Sequence, residues 1–103
     1  MRDSVLFVLF DLPVKEKGQR RDYSEFKKSL KKNGFLFMQK SIYIKHLRNS
    51  GNINSEIRIL QSNAPKKGNI VSFSLSTEQF KNISLIRGSK IDFNWICENI
   101  IEY

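Results

Sequence analysis

Residues 5–10 read VLFVLF, six apolar side chains in succession, and the run meets Asp11 and then Pro13. Six residues are too few for a globular helix, and Val and Phe suit a pleated, buried surface, so the stretch reads as a strand. A strand with one face in water alternates apolar and polar residues; this one is apolar on both sides. Both faces of its sheet must therefore be covered. That condition constrains the fold more than any other stretch does.

The remaining segments supply the partners. Residues 18–33 predict a helix, stopped by Asn33-Gly34. FLFMQ and SIYIKHL predict two short strands joined in a tight hairpin. In NINSEIRILQSN, Ile53, Ile57 and Leu60 fall at helical spacing, and Ala64-Pro65 ends that second helix. NIVSFSLS sets Val71, Phe73 and Leu75 against Ser72, Ser74 and Ser76, the alternation of a half-buried strand. The order β-α-β-β-α-β predicts an α+β, ferredoxin-like sandwich over residues 1–88, with both helices on one face of the sheet. FKNISLIRG is expected to add a short edge strand. The helix-free face then needs cover, and the simplest candidate is a second copy packed sheet to sheet about a two-fold axis. The tail, residues 89–103, fits either strand alternation (Ile91, Phe93, Trp95, Cys97) or a helical face (Phe93, Ile96, Cys97, Ile100, Ile101). In either form it is apolar enough to dock on the dimer or on a different protein.

At 103 residues the chain is one domain with a modest core. No apolar run approaches the roughly 18–20 residues of a membrane helix, and a cytoplasmic location is the default expectation. A single cysteine, Cys97, excludes an intrachain disulfide, and with His46 alone beside it a zinc site is not expected. The net charge of +8 is concentrated. Residues 15–48 hold eleven Lys and Arg against three Asp and Glu, and the rest of the chain has seven of each. Charge gathered on one third of a chain points to a polyanion; the alternative is a well-solvated helix.

On the first helix Tyr23, Phe26 and Leu30 form the core stripe. Arg20, Lys27 and Lys31 make one row on its flank, and Arg21, Lys28 and Lys32 a second row toward solvent. Rows of cations one or two turns apart suit a phosphate backbone and carry no base-reading pattern. Lys66 and Lys67, in the PKKGNI turn, are further candidates for phosphate contact. Asp11 has two readings, a turn-forming acid before Pro13 or a metal ligand and catalytic carboxylate. One carboxylate per chain is a poor magnesium site, whereas two copies across a two-fold axis could share an ion. His46 reads as a strand-end residue, not a general base.

Jointly, LFDLP, RRDYSEFKKSLKKNGF, MQKSIY and PKKGNIVSFSLSTEQF resemble the small core adaptation protein of CRISPR systems, the non-integrase subunit of the spacer-acquisition complex. The resemblance spans residues 5–87, and PKKGNI with TEQF is most similar to the variants that accompany type II systems. It implies a ferredoxin-like homodimer that bridges integrase dimers and supports duplex DNA by sequence-independent contacts. It also implies that Asp11 matches an acid described as a magnesium ligand in members with RNase or DNase activity. Arg20 matches a basic helix position, and Tyr23 and Phe26 match packing positions. Endonuclease activity varies across such proteins and is not thought necessary for integration, so whether this chain is an enzyme stays open. Two other readings stand beside it: a free-standing metal-dependent ribonuclease, and a noncatalytic RNA-binding module.

Overall fold

The computed structural model describes residues 3–48 and 53–88. The first strand, β1 (Ser4–Asp11), lies inside a four-stranded sheet between β3 (Ile42–Leu47) and β4 (Asn69–Ser76), with β2 (Leu36–Gln39) outside β3. Every pairing is antiparallel. Helix α1 (Lys17–Lys32) connects β1 to β2, α2 (Ile53–Asn63) precedes β4, and a short helix, α3 (Thr77–Lys81), follows it. This is the expected ferredoxin-like order, with β1 and β3 central.

One face of the sheet is closed by α1 and α2. Leu6, Val8 and Phe10 of β1 meet Tyr43 and Leu47 of β3, Phe26 and Leu30 of α1, and Leu60 of α2. The Phe10 ring stands edge-on to Phe26 at 5.2 Å and lies 6.0 Å from Tyr23, so the helical stripe packs where its spacing places it. Each such side chain contributes about 1.5–3 kcal/mol through burial. The end of α1 is tied down by backbone bonds. Phe35 N–H reaches Leu30 O at 2.9 Å, while Gly34 takes the left-handed φ of 88° that turns the chain into β2. Lys45 on β3 then links three elements: its Nζ donates to Asn33 O at 2.7 Å and pairs with Glu56 Oε2 of α2 at 2.9 Å.

The opposite face departs from expectation in two ways. First, no edge strand forms over residues 80–88. Ser76 Oγ accepts from Gln79 N–H and Gln79 Oε1 accepts from Ser76 N–H, a capping box that starts α3 instead. Second, the chain supplies part of the cover itself. Phe80 of α3 is fully buried against Val5, Phe7 and Ile44, and Ile83 packs beside it. The cover is incomplete. In register, Leu9 faces Val71, Phe7 faces Phe73 and Val5 faces Leu75, so the apolar half of β4 points away from α1 and α2. The Phe7 and Phe73 rings stack at 4.8 Å, yet Phe73 is 45% exposed and Val71 58%. A trough of about 600 Å³ runs over Phe7, Leu9, Ile42 and Phe73, walled on one side by residues 83–88. The tail lies outside the described residues.

Candidate nucleic-acid and metal-binding site

Asp11 is the last residue of β1, and alternation with Val5, Phe7 and Leu9 puts it on the helix-free face. Among the described residues its exposed carboxylate makes no hydrogen bond or ion pair. Two turns frame it. On the β3 side the hairpin tip at Lys40-Ser41, where Ser41 holds a φ of 65°, accepts a bond from Phe10 N–H to Ser41 O at 3.1 Å. On the β4 side Asn69 stands directly opposite Asp11 in the register. Gly68 fixes that side. Its φ is 101°, and a Cβ there would lie 2.7 Å from the Leu12 side chain and 2.8 Å from Asp11 O, so only glycine lets the turn approach the end of β1. The sequence marks Gly68 as a turn residue but does not show this approach.

The donors at this end, a carboxylate and a carboxamide with no nitrogen or sulfur partner, are of the oxygen type that magnesium takes. Among the described residues no three His, Cys, Asp or Glu side chains gather to hold a metal. One chain therefore does not complete a site.

The cations divide into distinct groups. Arg21, Lys28, Lys31 and Lys32 are exposed on α1. Arg20 is exposed too, but its Nη1 donates to Val14 O at 3.2 Å and Lys15 O at 2.9 Å, pinning the loop between β1 and α1. Lys27 lies with its Nζ 5.0 Å from the Tyr23 ring centre, a cation–π contact that orders it on the flank. Lys66 and Lys67 line a hollow of about 270 Å³ together with Leu12, Pro13, Tyr23, Glu16 and Asp22. The rows on α1 and the Asp11 carboxylate occupy opposite faces of the sheet, so one chain does not bring them together. His46 pairs through Nε2 with Asp3 Oδ2 at 3.1 Å and is nearly buried, in keeping with a strand-end role. Cys97 lies outside the described residues. The burial of Tyr43, with Tyr23 nearby, pushes its phenol above the usual range.

The family model described as "CRISPR associated protein Cas2" matches residues 4–83. Proteins named CRISPR-associated endoribonuclease Cas2 are similar over most of the chain. The Treponema denticola protein is 35% identical over 89 residues, covering 85% of this chain and 88% of its own. The Streptococcus mutans NN2025 protein is 33% identical over 85 residues, 82% of this chain and 79% of its own. The Ligilactobacillus salivarius protein is 31% identical over 86 residues, covering 84% and 85%. With this sheet order and a match over more than half its length, the chain belongs to the CRISPR-associated Cas2 family.

Proposed function

We propose that this protein acts in CRISPR spacer acquisition as a homodimer that bridges integrase dimers and holds duplex DNA by its phosphates. The observation that carries the reading is the half-open apolar face: Val71 and Phe73 remain exposed on the sheet surface that also bears Asp11. A second copy seated there removes those side chains from water and brings two Asp11 carboxylates toward one axis, while both α1 helices stay outside. The exposed row Arg21, Lys28 and Lys32 then faces solvent on each outer layer, where backbone phosphates are met without reading bases. Magnesium held between the two Asp11 carboxylates would polarise a phosphate oxygen and acidify a bound water, giving a phosphodiesterase site.

Bridging and cleavage separate experimentally. In an integration assay with the integrase, an acceptor array and a short duplex, Val71→Glu with Phe73→Glu is expected to abolish integration, and Asp11→Asn to leave it intact. Integration unaffected by the paired glutamates would contradict the bridge. The free-standing ribonuclease reading gains its support from the names of the relatives. It requires magnesium-dependent RNA cleavage that disappears in Asp11→Ala.

A further inference from the structure

We infer that Asn69 is a second oxygen ligand, beside Asp11, for a divalent cation at the end of β1. The inference rests on the metal reading of Asp11 and adds to it a residue from a different strand. Asn69 is the first residue of β4 and pairs directly with Asp11. Residues so opposed share a face and hold their Cβ atoms about 4.5–5.5 Å apart. That spacing lets a carboxylate and a carboxamide oxygen reach one ion. Both side chains are exposed, and neither is held by another described residue.

The register decides the pairing. A slip of one residue would turn Asn69 to the other face, and in the observed register the Gly68 backbone lies close against Asp11 O and the Leu12 side chain. The chemistry also admits a neutral second donor. Amide carbonyl oxygens serve beside carboxylates as ligands of hard cations, and magnesium keeps several waters. A carboxamide raises the number of protein ligands without setting a second negative charge against Asp11 in the metal-free chain. Two copies about a two-fold axis would then offer two carboxylates and two carboxamides, which answers the shortage of ligands in a single chain.

The test is metal binding by the full chain, read without any nuclease assay. MnCl2 is titrated and free Mn2+ followed by electron paramagnetic resonance, with MgCl2 as competitor and circular dichroism to verify folding. Asp11→Ala is expected to abolish binding, and Asn69→Ala to weaken it by about tenfold, the scale on which groups around a metal tune its affinity. Asn69→Asp is expected to bind more tightly than the natural chain, because the ion relieves the repulsion between opposed carboxylates. Should Asn69→Ala fail to fold, the Asn69→Asp arm decides. Binding by Asn69→Ala equal to that of the natural chain, or weaker binding by Asn69→Asp, overturns the role of Asn69 and leaves that of Asp11 standing. No binding by the natural chain, or undiminished binding by Asp11→Ala, overturns both.

Discussion

The two faces of the sheet are built from the same strands and closed in different ways. Over the face bearing α1 and α2, every apolar residue of β1 finds a partner within the chain, and Lys45 ties β3 to α2 across it. Over the other face closure is graded. It is complete at Val5 and Ile44 beneath Phe80, and it fails toward Val71 and Phe73. A face that the chain closes by itself stabilises the monomer. The other is left half-closed, and at its open end Asp11 has no partner among the described residues; under the proposed function this is where a second copy sits.

The sharpest test of this contrast compares truncations on the two sides. Phe26→Ala opens a cavity in the helix-bearing core and is expected to lose about 3–5 kcal/mol of stability in denaturant titration. Phe73→Ala is expected to change monomer stability by less than about 1 kcal/mol while raising the dimer dissociation constant strongly. Equal losses of monomer stability would erase the distinction between the faces. Lys45→Met follows, at about 3 kcal/mol, because Glu56 is left buried without its cation. Gly68→Ala, beside the end of β1, is expected to lose roughly 2 kcal/mol through its φ and its contact with Leu12 and Asp11 O. The same substitution should weaken metal binding, which Lys45→Met should not.

Charge distinguishes the layers further. Replacing Arg21, Lys28 and Lys32 by Ala should lower the slope of log affinity for duplex against log salt by about 0.9 for each phosphate no longer neutralised. Arg20→Ala should lower it less and loosen the loop at residues 12–16, since its guanidinium already serves two carbonyls. The smallest effect concerns pH. The raised phenol of Tyr43 leaves its contribution to stability intact below its ordinary value of 10.0, and that contribution falls as pH rises above it. A Tyr43→Phe variant should lack that alkaline decline.

The strands and the two long helices were legible because apolar spacing and stop signals agreed along the chain. Other features were not, each for a physical reason. Alternation in NIVSFSLS shows that β4 has an apolar side, but not that this side faces away from the helices; only the register with β1 sets that. FKNISLIRG is short and largely apolar, which suggests an edge strand, yet the Ser76–Gln79 capping box just before it nucleates a helix. That signal was present in STEQ. A count of cations treats Arg20, Lys28 and Lys45 alike, whereas the fold assigns one to a loop, one to solvent and one to a buried acid. Asp11 was legible as a residue at a strand end. Its neighbour Asn69 was not, because the two meet only through pairing across 58 residues of chain.

The half-open face is where a second copy is expected to sit. Sedimentation velocity of the full chain at micromolar concentration, beside the Val71→Glu, Phe73→Glu variant, addresses it most directly. The expected result is a dimer for the natural chain and a folded monomer for the variant. A natural chain that sediments as a monomer, or a variant that stays dimeric, would contradict the claim.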